Sequence, residues 1–272
     1  MKIILSRKGF DTKNGGMPSW VMPDGGVVSL PIPSGEGEPT EYADLHYNGT
    51  YYSQIMHNLG SRYCYDYCHF DPSLDVSRYV NPPKNWKPAF GQCDASLSYL
   101  MNTVGVEPGD LFLFFGWFHF IEQYKGIYQY VKKGKDFFDN HDFHLIWGYL
   151  QVGEILFDFK EKSQKIPWHS HAQDFRVNDP YDAIFVASET LSFAPDMPGA
   201  GMLPFSKKRI LTMEGKKKGT WKDNKVYDPD HIIGKRNNAA TEGGIYYSGI
   251  WQELGLKESA AAEAWAKRIV LA

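Results

Sequence analysis

Gly105–Phe118, GVEPGDLFLFFGWF, and His144–Leu156, HLIWGYLQVGEIL, are the two longest apolar runs in the chain. No polar side chain interrupts Leu111 to Phe118 or Leu145 to Leu150. Alternation would mark a sheet with one wet face, whereas continuity over this length marks strands covered on both faces. Buried strands must pair to satisfy their amides and carbonyls, so the two runs are expected as neighbours at the centre of the fold. Gly116, Gly148 and Gly153 fall inside them, where a glycine marks a bulge or a close approach to the backbone. The Glu107-Pro108-Gly109-Asp110 turn launches the first run, proline fixing φ and glycine accepting positive φ. Between the runs lies Tyr124–Asp142, whose KKGKD core cannot be buried. An insert at 120–143 is therefore expected to project from one end of the sheet as a flap. That arrangement puts Trp117, His119 and His144 at the mouth of a binding site.

Working outward, Lys2–Ser6, Val27–Pro31 and Ala183–Ser188 read as further strands, and Gln123–Val131 as a hairpin. Helices are expected over Tyr51–Tyr67, where Ile55, Leu59 and Tyr63 keep near-helical spacing, over Asp94–Thr103, and over Glu258–Ile269. The last carries Lys267 and Arg268 where cations suit a helix C-terminus. Strands predominate, no repeat is visible and there is no βαβ alternation. The expected fold class is α+β, a mixed, mostly antiparallel barrel-like sheet with flanking helices and large insertions. It is read as one domain over 1–272.

At 272 residues, 43% hydrophobic and 15% aromatic, the chain can fill a large core. MKIILSRKGF has too short an apolar run for a signal peptide, and nothing approaches the roughly 20 apolar residues of a membrane helix. Three cysteines cannot all pair, and a chain of this size needs no disulfides. The expectation is a cytoplasmic protein with reduced thiols and no membrane partner; composition says nothing of its oligomeric state.

The net charge of −3 is unevenly spread. Segment 206–236 holds ten basic residues, among them Lys216, Lys217 and Lys218, against Glu214, Asp223, Asp228 and Asp230. It therefore carries +6 and leaves −9 on the rest. Such asymmetry is either an electrostatic footprint for nucleic acid or a solvated basic loop. Trp221, among these cations, has the setting of a base-stacking platform.

Several constellations have the chemistry of a site. In SRKGFD (Ser6–Asp11), Arg7, Lys8 and a glycine end a strand, a place where guanidinium and ammonium can hold phosphate, with Asp11 nearby to orient a hydroxyl. In HFDP, His69 and Asp71 are polar groups just before a proline stop. Gln92 and Asp94 flank Cys93 at an expected helix start, where Asp94 suits an N-cap and the Gln92 amide suits a base edge or a phosphate. Cys93 as a nucleophile requires an activating base. His169 and His171, with Asp174 beyond, share a face if extended and then suit a metal or phosphate; a surface loop is the plainer reading. Cys64 and Cys68 are too few for zinc and fit a buried helix stripe. No metal set is assigned and no cofactor is expected. The motifs of phosphate-loop hydrolases, dinucleotide-binding dehydrogenases, serine hydrolases and zinc deaminases are absent.

The PGD turn before an apolar strand, and the later strand containing GE and an aliphatic, resemble the PUA-like superfamily, small barrels that hold RNA or flipped bases. Six blocks together resemble the third type of nucleotide modification associated domain: SRKGFD, HFDP, FGQC (Phe90–Cys93), GDLFLFFGWF, LIWGYLQVGE and FVASETLSF (Phe185–Phe193). The resemblance implies a setting of DNA base modification and phage conflict, and supplies no catalytic residues. The expected function is recognition of a nucleotide or modified base in nucleic acid, DNA favoured over RNA. Arg7, Gln92, Trp117, His119, His144, Lys216, Lys217 and Lys218 would bind. The alternative is an enzyme, a transferase or hydrolase, working through Lys8, Asp11, His69 and Asp71.

Overall fold

A computed structural model describes the whole chain except residues 223, 235–238, 242, 243, 248 and 250. Six strands form its spine: β1 (Ile3–Arg7), β2 (Ala89–Cys93), β3 (Leu111–Tyr124), β4 (Phe143–Leu156), β5 (Asp182–Ala187) and β6 (Glu253–Leu256). They lie in the order β6-β1-β3-β4-β5-β2 within a sheet of ten strands. The two apolar runs are indeed neighbours, antiparallel from Phe118 opposite Phe143 to Leu111 opposite Gln151, with a register shift between Ile146 and Gly148. Among the described residues, only β1 and Ser19–Val21 run parallel to β3.

Both faces of the spine are covered, which is what uninterrupted apolar runs require. On one face Ile3, Leu5, Leu113 and Phe115 pack with Trp221 and with Trp265 of the C-terminal helix. On the other, Ile4, Phe112 and Phe114 pack with Phe90 and Phe185. The sheet curls into a half-barrel: Phe90 of one edge strand lies 5.0 Å from Phe112, and the Gln92 amide reaches Glu253 of the opposite edge strand at 2.6 Å. The class is mixed α+β, as the sequence suggests. The strand glycines mark close approaches: a Cβ on Gly116 would stand 2.6 Å from the Lys8 carbonyl oxygen, and one on Gly148 2.6 Å from Leu74.

Of the helices, Tyr52–Asn58 is shorter than the spacing suggests, because Gly60 at φ +79° turns the chain and Tyr67–His69 is a strand. Cys64 and Cys68 therefore do not share a helix stripe; both are buried, and Cys68 sits on that strand. Asp94–Ser98 continues as a wider turn to Val104, where Gly105 at φ +69° ends it. Helix Ala260–Leu271 is N-capped by Ser259 and held by buried Arg209, which donates to the carbonyls of Ile269 and Ala272. Between β3 and β4, Ile127–Tyr130 forms a hairpin with β3, and Phe138 of the turn Phe137–Asn140 is buried against Phe143. No helix of the described residues is long and apolar enough to cross a membrane.

Candidate functional site

The end of β1 sets the site. Lys8 donates its amide to the Phe115 carbonyl at 2.8 Å, and Gly9 then turns at φ +91°. A Cβ at Gly9 would stand 2.5 Å from Ser29 Oγ, so the turn needs glycine. The turn sets Arg7 and Lys8 at the chamber wall while Phe10 anchors the loop in the core. Asp11 is occupied: it accepts from the amides of Lys13 and Asn14, from the Asn14 side chain, and from Arg7 at 3.0 Å. Burial opposes its ionisation, yet these donors outweigh burial and lower its pKa. Its local work is to brace Arg7.

Beside this turn lies a chamber of about 270 Å³, whose wall includes Lys8, His69, Asp71, Gln92 and His171. The tail of strand Tyr67–His69 supplies His69 and then Asp71; β2 supplies Gly91, Gln92 and Cys93; the short turn Ser170–Ala172 supplies His171. His69 Nδ1 pairs with Glu38 at 2.8 Å. His171 Nδ1 pairs with Asp182, which is also ion-paired with buried Lys162. These contacts turn both Nε2 atoms inward, 3.2 Å apart, with Asp71 Oδ2 3.9 Å from one and 4.0 Å from the other. Ligand atoms of His69, Asp71 and His171 thus all lie within 4.8 Å of one another, the arrangement among the described residues that can hold a metal ion. Asp71 Oδ1 accepts the Gly91 amide at 2.7 Å.

Charge in the chamber is sharply ordered. Burial opposes an ionised Asp71, but His169, His171 and Lys8 more than offset it and hold the carboxyl well below its usual range. Burial drives the His171 pKa well below the ordinary histidine value. Lys8 Nζ stands 3.5 Å from Glu253 and 4.3 Å over the Phe90 ring. Glu253, fully buried, also accepts from Ser6 and Gln92, and its pKa is raised by burial against those partners. Cys93 is pushed up to about 11, chiefly by burial, so at neutral pH it is a thiol and not an activated nucleophile. Asp94 is not an N-cap: it is the first helical residue, at φ +51°, and Cys93 precedes it without a capping bond.

Arg7 and Asp11 also line a second cavity, an open cleft of about 860 Å³. Lys216, Lys217 and Lys218 form one wall; Trp117, His119 and the end of the insert, Phe137 to Asp142, form another. Phe137 and His141 stack at 4.1 Å, and Tyr246 is 48% exposed at the rim. The face of Trp117 is already covered, with Lys218 Nζ 3.5 Å above its centroid. His119 is pinned between Asp142 and the Val131 carbonyl; burial lowers its pKa but these partners leave it raised.

Two expectations about this cleft need correcting. His144 touches the cavity but is buried, accepts the Trp221 indole N–H at 2.9 Å, and is pushed down to about 3 by burial and by Lys218 and Arg7. It is a neutral supporting residue. Trp221 is no stacking platform, because it is wholly buried against Tyr247 at 4.7 Å. Lys235, Arg236 and Asp223 of the basic segment lie outside the described residues.

Of the residues singled out in the sequence, Lys8, Asp11, His69, Asp71, Gln92 and Arg7 meet at the chamber, and Trp117, His119, His144 and Lys216–Lys218 meet at the cleft. The pair His169 and His171 is buried and is not a surface loop, and His171 lines the chamber. Glu38, Asp182, Lys162 and Glu253 escape a reading by motif. Each is a lone charged residue in an unremarkable segment, and only its partner across the fold gives it meaning.

The fold is thus a curled α+β sheet in which an imidazole–carboxylate chamber lies beside a basic, aromatic cleft. The chain belongs to the nucleotide modification associated domain 3 family, whose model matches residues 2–258. No curated protein and no solved structure matches it.

Proposed function

We propose that the protein is an enzyme acting on a nucleotide, or on a nucleobase presented by a DNA strand, by group transfer or hydrolysis. The observation that carries this reading is that Arg7 and Asp11 border both cavities, so one ligand can span them. The cleft has what a nucleotide needs: ammonium and guanidinium groups for phosphate, and ring faces at Tyr246 and the Phe137–His141 stack for a base. The chamber has what chemistry needs: two oriented imidazoles, an ionised buried carboxylate, and Lys8 placed to meet developing negative charge. A reader of bases would need only the cleft. The family's nucleotide-modification setting supports the same substrate class.

The test is to incubate the protein with nucleotides and with DNA carrying ordinary and modified bases, then to resolve the nucleosides by mass spectrometry. A changed base or nucleotide is expected with the parent chain and not with Asp71→Asn, which should still bind. Binding without turnover under every substrate and divalent-ion condition would favour recognition alone.

A further inference from the structure

We infer that His69, Asp71 and His171 form a binding site for a divalent first-row transition ion, zinc or ferrous iron in ligand preference. The inference goes beyond the enzymatic reading and does not rest on it, since it concerns three side chains of the free protein.

A carboxylate only accepts hydrogen bonds, so Glu38 at 2.8 Å and Asp182 place the protons of His69 and His171 on Nδ1. With those protons on Nδ1, each imidazole turns its Nε2 lone pair inward, and the two nitrogens face each other at 3.2 Å. The third inward group, Asp71 Oδ2, is negative. Its sister oxygen is satisfied by the Gly91 amide at 2.7 Å, and His169 Nε2 stands 3.2 Å from it. His169 accepts the His171 amide on Nδ1, so its proton is on Nε2, toward Asp71. Three electron-rich atoms thus converge without a donor, and a cation among them resolves the repulsion.

The dimensions suit a metal. Two nitrogens 3.2 Å apart, each about 2.0–2.1 Å from one ion, subtend an angle of about 100°, close to tetrahedral. The carboxylate at 3.9 and 4.0 Å must close by about half an ångström to complete the set. Two imidazoles and one carboxylate leave coordination positions open, and here they open toward the chamber, where Lys8 and Gln92 stand. The outer contacts are those of a metal site as well: each ligand histidine is oriented through its far nitrogen by a carboxylate. Asp182 is in turn neutralised by Lys162, so the support of His171 brings no net charge. The backbone makes room for the ring, since a Cβ on Gly91 would stand 2.1 Å from His171 Cδ2.

The experiment uses the full chain after chelator treatment, with Zn²⁺ titrated by calorimetry and Co²⁺ followed by its visible absorption. One equivalent of each is expected, with Co²⁺ giving the intense bands of a four- or five-coordinate nitrogen–oxygen site. His69→Ala and His171→Ala should weaken Zn²⁺ by more than about 100-fold, and Asp71→Asn, nearly isosteric, by at least about tenfold. His231→Ala, at a distant partly exposed histidine paired with Asp228, should leave it unchanged. Circular dichroism checks that each variant folds; Asp71→Asn decides the matter if the alanine variants do not. Failure of the parent to take up either ion would overturn the inference and leave a proton shared between the imidazoles. Uptake retained by all three site variants would overturn it equally.

Discussion

Gly91 shows how much of the chamber is decided by a single missing methyl. It sits on an edge strand between Phe90, packed in the core, and Gln92, bonded to Glu253, while its amide holds Asp71 and its bare Cα accommodates His171. Gly91→Ala would have to push the imidazole aside from a rigid sheet, and overpacking of this kind costs about 1–3 kcal/mol. A fall of that size in the urea midpoint stability is expected; an unchanged midpoint would mean that His171 is free to move and the chamber loosely built.

His144 gives a second residue-scale prediction, in pH. Its folded-state pKa is pushed down to about 3 from 6.5, while the unfolded chain protonates near the ordinary value. Between these limits the unfolded state binds more protons, so stability falls as pH drops, by up to about 1.4 kcal/mol per pH unit for such a histidine. His144→Asn should reduce the slope of unfolding free energy between about pH 6 and 4.5, since an amide does not titrate there. An identical slope would place the titrating group elsewhere.

At the level of elements, the segment between β3 and β4 does two jobs. Phe138 fastens it to the core, which frees Phe137, Asn140, His141 and Asp142 to line the cleft. The lysine-rich character of this insert makes it legible as exposed, but its anchoring is not, because two adjacent phenylalanines in a polar run have no periodicity to tell which one is buried. Trp221 is the reverse case. Surrounded by lysines in sequence it looks like a platform, yet the short strand Thr220–Trp221 turns it into the core, where its indole serves His144. In the proposed function, base stacking falls to the exposed rings of the cleft. Phe137→Ala and Tyr246→Ala should each weaken binding of a single-stranded oligonucleotide by about 1–3 kcal/mol, read by fluorescence anisotropy. Unaltered affinity in both would remove the aromatic wall from the ligand's path.

Over the whole molecule, the sheet's centre was plain in the sequence because continuous apolar runs have few other uses. The separate blocks SRKGFD, HFDP and FGQC stand out through their resemblance to the family and the polar groups they carry. Their convergence depends on the curl that brings β2 and β6 together, a long-range feature with no local signature. The charged residues that orient the chamber are the least legible, since Glu38, Asp182 and Glu253 pair with groups 31, 11 and 161 positions away. The proposed function amounts to a division of labour, with a basic cleft for binding and a chamber for reaction, both lined by Arg7 and Asp11.

That division is tested most directly by the salt dependence of oligonucleotide affinity in the parent chain, in the variant with Lys216, Lys217 and Lys218 all replaced by Ala, and in Asp71→Asn. Each phosphate neutralised by a cation releases counterions and steepens the dependence, by about 0.7 in the logarithmic slope for a single strand. The account predicts a steep slope in the parent and in Asp71→Asn, and a slope shallower by about 1.5–2 with clearly weaker binding in the triple-lysine variant. Equal slopes and affinities in all three proteins, or no binding by the parent at low salt, would contradict it.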